Sequence, residues 1–296
     1  MKKNINLFYI LAPLLLLFMV SCEKDISLDL PRAEEKIVVE GWIENGQVPH
    51  VALSRNASYF DVIDEAAIMH MFNVDAVVKV REVETGIEET LTKTINPSFL
   101  PPVLYKGSTL TGKIKHHYEL LIEVDGKSLT ATTYIPDTIS TDSTYFKAEP
   151  LLDTLGGVYI MFQDPPLETN YYRIFTKRLS KDPRFVPVWG SIYDDIFFNG
   201  QYINYSFYRG IDFYATQPEE YEEDDFMFCI GDTIVTRFCA IDKAHYDFWR
   251  TYENAIYSGG NPFASPATIA TNVSGALGVW GGYAAVYDTT VAAVAP

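Results

Sequence analysis

Asp125-Gly126 stands between two runs in which apolar and polar residues alternate, 118–124 and 127–135. A two-residue hairpin loop of type I′ needs positive φ at both central positions, which Asp-Gly supplies at low steric cost. Alternation with a period of two also fixes the register, because a slip by one residue would turn every apolar side chain to the other face. The chain must therefore contain antiparallel sheet with one face covered.

The same punctuation recurs upstream. Residues 36–43 are rich in β-branched residues, Glu44-Asn45-Gly46-Gln47 supplies a turn, and 49–54 read as the returning strand. Residues 75–81 and 87–94 flank the turn Glu84-Thr85-Gly86, and Asp64 is placed to cap one or two helical turns within 63–71. Roughly seven short strands in about a hundred residues predict an immunoglobulin-like or fibronectin-like sandwich over 36–136.

Pro136 and the polar residues behind it read as a linker, so a second β-rich domain is expected over 137–296. Its strands are expected at 143–148, 158–162, 170–177, near 202–208, at 232–238 and at 278–287. One helix interrupts them at 243–257, with Asp242 as its cap and Ser258-Gly259-Gly260 as its stop. Tyr246, Phe248, Trp249, Tyr252 and Ile256 recur at helical spacing, so that helix is expected to pack on a sheet. The expected fold class is mainly β: a sandwich followed by a second sandwich-like domain with one inserted helix.

The N-terminus carries a different kind of information. Lys2 and Lys3 precede an apolar run from Leu7 to Val20, interrupted by Pro13 and ending at Ser21-Cys22. The run is shorter than the roughly 20 residues that cross a bilayer as a helix. A cleaved signal peptide over 1–21 is therefore favoured over a transmembrane anchor. Met19-Val20-Ser21-Cys22 resembles a bacterial lipobox, with Met19 where Leu is usual. That resemblance implies a lipid on Cys22, and several acyl chains would hold the protein to the membrane without another element. Residues 22–35 form a polar tether of mixed charge. Its opening Glu23-Lys24-Asp25 resembles the acidic signal that directs lipoproteins of Bacteroidota to the cell-surface face of the outer membrane, the periplasmic face being the alternative.

The net charge of −16 disfavours a nucleic-acid partner, which is held through a basic face. Cys229 and Cys239 are the cysteines that remain after Cys22; a tight turn at Gly231-Asp232 would keep them apart along the chain's ladder and disfavour a disulfide.

Catalytic motifs are lacking. There is no Gly-x-Ser-x-Gly elbow, no phosphate-binding Gly-rich loop and no His-Glu-x-x-His. His116 and His117 are adjacent in a strand and so point to opposite faces, which does not suit one metal. The acidic run 219–225 lacks the alternating oxygen ligands and the glycine of a calcium loop. No cofactor is expected, and a binding role is favoured over an enzymatic one. Aromatic residues are the candidate binding surface, since Tyr and Trp offer apolar faces with polar tips: Trp189, Tyr193, Tyr202, Trp280 and Tyr283, for a glycan or a peptide.

An ordered succession of strings runs through the chain: Leu28-Asp29-Leu30-Pro31, Ile37-Val38-Val39-Glu40-Gly41-Trp42-Ile43, Asn170-Tyr171-Tyr172-Arg173, Asp242-Lys243-Ala244, Phe248-Trp249-Arg250, Gly259-Gly260-Asn261-Pro262-Phe263 and Gly278-Val279-Trp280-Gly281-Gly282-Tyr283. It resembles the Bacteroidota lipoproteins called domain of unknown function 4249. The resemblance implies an accessory or docking partner of a TonB-dependent transporter, and it brings no catalytic residues with it.

Overall fold

The computed structural model describes residues 34–57, 64–96, 100–212, 225–258 and 268–293. The expected signal peptide, Cys22 and the tether up to residue 33 lie outside the described residues. In chain order the first half contains β1 (Ile37–Glu44), β2 (His50–Arg55), α1 (Glu65–Phe72), β3 (Val77–Glu82), β4 (Glu88–Thr90), β5 (Thr92–Ile95), β6 (Val103–Lys106), β7 (His116–Val124) and β8 (Lys127–Ile135). The second half contains β9 (Thr141–Glu149), β10 (Leu152–Gln163), β11 (Tyr171–Arg178), β12 (Val186–Asp194), β13 (Tyr202–Phe207), β14 (Phe228–Cys229), β15 (Thr233–Ile241), α2 (Lys243–Ser258), β16 (Val273–Ser274) and β17 (Leu277–Val291). The fold is mainly β, with its sheets packed in a sandwich-like arrangement.

The β7–β8 hairpin forms as its turn residues dictate. Val124 pairs with Lys127, and Asp125 and Gly126 both take positive φ, 51° and 72°. Tyr118, Leu120, Ile122 and Val124 on β7, with Leu129, Ala131 and Ile135 on β8, are buried in the core, while their alternate neighbours are not. This hairpin lies within a five-stranded sheet ordered β16-β8-β7-β3-β4. In a smaller sheet β10 carries β9 along one edge and β13 and β14 along the other.

The largest sheet runs β12-β11-β15-β17-β1-β2-β6-β5. Its centre is a parallel ladder from Val38 opposite Leu277 to Glu44 opposite Tyr283. The other half of β17 pairs with β15 in the antiparallel sense, from Ala240 opposite Ala284 to Thr233 opposite Val291. One continuous sheet thus takes strands from both sides of residue 136. The boundary expected between 136 and 137 does not divide two bodies, and residues from Glu35 onward form one compact unit. A proline-marked turn is a local signal, whereas the β1–β17 ladder joins segments more than two hundred residues apart.

A single apolar cluster fills the space between the sheets, with Tyr118, Ile160, Tyr172, Phe228, Phe238 and Trp280 among its largest buried members. Trp280 is fully buried and donates from Nε1 to the Tyr118 carbonyl at 2.8 Å, which satisfies its one polar group.

On the opposite face of the large sheet lies α2. Asp242 caps it, accepting from His245 N at 2.8 Å through Oδ1 and from Thr133 Oγ1 and Tyr134 N at 2.7 and 2.9 Å through Oδ2. One carboxylate therefore fastens the helix start to β8 as well as supplying its missing acceptor. α2 sits close to the sheet because Gly281 has no side chain: a Cβ there would lie 2.2 Å from the His245 ring.

Candidate binding cavity

Strand parity sorts the side chains of the large sheet. On β11, Tyr172 and Ile174 join the main core, while Arg173 and Phe175 face α2. On β15, Phe238 and Ala240 join the core, and Arg237 turns to the helix side with Cys239 and Ile241. On β17, Trp280 goes to the core and Tyr283 to the helix side. The helix-side face, α2 and the loops around residues 100, 185 and 211 enclose a cavity of about 720 Å³. That is within the range of small-molecule sites.

Its walls are largely aromatic, with Trp42, Phe175, Phe185, Phe248, Trp249 and Tyr252 among the lining residues. Set into them are two buried arginines, which is costly unless each is satisfied. The Arg237 Nη2 lies 2.5 Å from Glu44 Oε2, and the guanidinium rests 4.5 Å from the Tyr283 ring centre and 4.7 Å from that of Phe175. Glu44 is itself buried and also accepts from the Tyr287 hydroxyl.

Arg173 is held differently. Its guanidinium carbon stands 3.4 Å from the centre of the Trp249 ring and 4.7 Å from that of Phe175. Nη1 donates to Tyr283 Oη at 2.7 Å and Nε to Ser191 Oγ at 3.5 Å. The Ser191 hydroxyl in turn donates to Glu253 Oε1 at 2.5 Å. Burial pushes the Glu253 carboxyl above its ordinary value, against the Ser191 hydrogen bond and the charge of Arg173.

His245 is 1 % exposed, with Nδ1 at 3.3 Å from the Gly282 carbonyl. Burial, reinforced by the charge of Arg173, lowers it to about 3, so the ring is neutral at ordinary pH. Cys239, behind the cavity wall, is raised by burial to about 12. Cys229 and Cys239 are both free. The turn at Gly231-Asp232 closes with Asp232 N donating to the Cys229 carbonyl at 3.0 Å, and the strands on either side enter different sheets.

Of the five aromatic residues expected to form a binding surface, the fold brings two to the cavity. Trp189 is half exposed, 4.9 Å from the Tyr257 ring, and Tyr283 lines the interior. Trp280 is a core residue and offers no surface. Tyr193 and Tyr205 share a hydrogen bond between hydroxyls at 2.5 Å and pack against the main core. Tyr202 is half exposed on β13, in another sheet. The residues missed were Arg173, Arg237, Glu44 and Glu253. For the two arginines the signal was a single charge within a strand-like run, as in Tyr172-Arg173-Ile174 and Thr236-Arg237-Phe238; Glu44 and Glu253 have polar neighbours and carry no such signal.

His116 and His117 each meet a carboxylate, with Nδ1 at 2.5 Å from Glu82 Oε1 and at 2.8 Å from Glu84 Oε1. Among the described residues no group of three or more His, Cys, Asp or Glu could hold a metal ion, and no helix is long and apolar enough to cross a membrane.

A family model described as Domain of unknown function (DUF4249) matches residues 23–288. The chain belongs to this family. The matched span of this DUF4249 protein takes in every residue that lines the cavity, and the whole of α2 above it. No curated protein matches the chain.

Proposed function

We propose that this DUF4249 protein is a non-catalytic binding lipoprotein of the bacterial outer membrane, held by lipid on Cys22, which captures a small ligand in the cavity beneath α2 and presents it to a TonB-dependent transporter. The observation that carries the reading is the cavity itself: about 720 Å³, walled by aromatic rings, with charged groups placed singly among them. Such a site binds by shape and apolar contact and uses a few polar groups for orientation. The state of its neighbours supports binding over catalysis, since a histidine held at about 3 is no general base at neutral pH and a thiol raised to about 12 is no nucleophile. The lipobox-like Met19-Val20-Ser21-Cys22 supports the anchor, and the acidic tether supports the cell-surface face. The half-exposed Trp189 favours one second reading, in which a glycan or peptide chain lies across the cavity rim.

Two measurements test the proposal. Cells expressing the full chain should carry it in the outer-membrane fraction, and Cys22→Ser should release it. Detergent extracts should yield a β-barrel transporter on pull-down and a bound small molecule by native mass spectrometry, the latter lost in Trp249→Ala. Recovery of the chain alone and empty, from extracts that retain other membrane complexes, would overturn it.

A further inference from the structure

Three arginines line the cavity, and they are not equivalent. Arg184 Nε lies 3.2 Å from Asp212 Oδ2, and Arg237 is paired with Glu44. Arg173, 4 % exposed, has no carboxylate within ion-pair distance among the described residues. Its Nη1 and Nε reach hydroxyls, its flat face is covered by Trp249, and its Nη2 makes no hydrogen bond among the described residues. Ser191 donates to Glu253 Oε1, so that carboxyl is linked to Arg173 by hydrogen bonds only through a hydroxyl.

A buried guanidinium with no directly paired carboxylate is an expensive feature to keep in an apolar wall. Here the cation is also fixed in position: stacking on Trp249 and the bond to Tyr283 hold the fork in one plane. Arginine in that state recognises a carboxylate through parallel N–H donors. The rings of Phe248, Trp249 and Tyr252 lie against one another, Phe248 and Tyr252 stacked at 5.9 Å, and form the apolar surface beside it.

We infer that the ligand of this cavity is an organic carboxylate with a planar apolar body, its carboxylate on Arg173 and its body against the α2 aromatics. The inference rests on the cavity's being a ligand site, as proposed above, and adds the charge and shape of what enters it. The bound carboxylate supplies the direct ion pair that Glu253, linked through Ser191, does not make with Arg173, while Arg184 and Arg237 keep their own partners and take no part.

Calorimetry on the full chain in dodecyl maltoside, with 2-naphthoate and its neutral isostere 2-naphthamide as probes, tests this. The acid should bind at least tenfold more tightly than the amide. Arg173→Gln should remove that preference and leave amide binding unchanged, whereas Arg250→Gln, on the exposed side of α2, should keep it. Equal affinity of the two probes for the wild type would overturn the carboxylate while leaving the cavity as a binding site. So would a preference that persists in folded Arg173→Gln. Failure of both probes to bind would overturn both readings. The wild-type comparison decides the matter even if Arg173→Gln does not fold.

Discussion

The guanidinium of Arg173 on β11 and the indole of Trp249 on α2 are stacked with 3.4 Å between the guanidinium carbon and the ring centre. The contact joins sheet to helix across the cavity and replaces the carboxylate that a buried arginine ordinarily takes. Cation–π attraction of this kind contributes roughly 2 kcal/mol when desolvated, which is less than the cost of burying the charge.

Arg173→Met should therefore cost the protein no more than about 1 kcal/mol of stability, because an apolar chain of similar length replaces a buried cation with no direct ion pair. Urea unfolding checks this. A loss of 3 kcal/mol would show that Arg173 is a structural support.

Glu44→Gln should behave in the opposite way. It removes the charge that balances Arg237 and leaves that guanidinium buried alone, at a cost of about 3 to 5 kcal/mol. The double variant Glu44→Gln, Arg237→Met should regain most of the loss, and a double-variant cycle by denaturant unfolding measures the coupling.

His245 makes the fold sensitive to acid. Its folded value of about 3 lies below the ordinary 6.5, so the unfolded chain binds a proton that the folded one refuses. The resulting stability is complete above pH 6.5 and is lost as pH falls from there to about 3, by roughly 4 to 5 kcal/mol in all. His245→Gln should flatten the stability curve across that window relative to the wild type, as read from urea midpoints at successive pH values.

Gly281→Ala should lift α2 from the sheet, since the added Cβ would lie 2.2 Å from the His245 ring. A destabilisation of about 1 to 3 kcal/mol is expected for such overpacking. Trp249 fluorescence should shift to the red as the cavity opens.

Two tryptophans drawn from the same aromatic pattern should separate clearly. Trp280→Ala, in the core, should cost about 3 to 5 kcal/mol, while Trp189→Ala, half exposed, should cost less than about 1. Thermal unfolding distinguishes them.

Local chemistry made much of this fold readable. The Asp125-Gly126 hairpin, the Asp64 and Asp242 caps and most strands lie where turn residues and alternation put them, because those signals act over a few residues. The extent of the large sheet was not readable: nothing in residues 37–44 identifies 277–283 as their neighbours. For the cavity, the spacing of Trp280 and Tyr283, three residues apart on one strand, puts them on opposite faces, so the aromatic set grouped above divides between core and cavity. Which face remained open depended on where α2 settles, and that is decided by Gly281 and Asp242 together. Arg173 and Arg237 were passed over because a lone charge in a strand reads as solvent-facing until something is known to cover it.

The parallel ladder between β1 and β17 also sets the order of assembly. As the chain is made, β1 appears more than two hundred residues before β17, so the large sheet stays unfinished until residue 291 or so has emerged. Pairings of such long separation form slowly, and until they form the edges of β1 and β15 are open to other chains. A truncation before residue 277 would remove the seam for both halves at once, so the newly made chain should depend on holding chaperones for the whole time β17 is still to come.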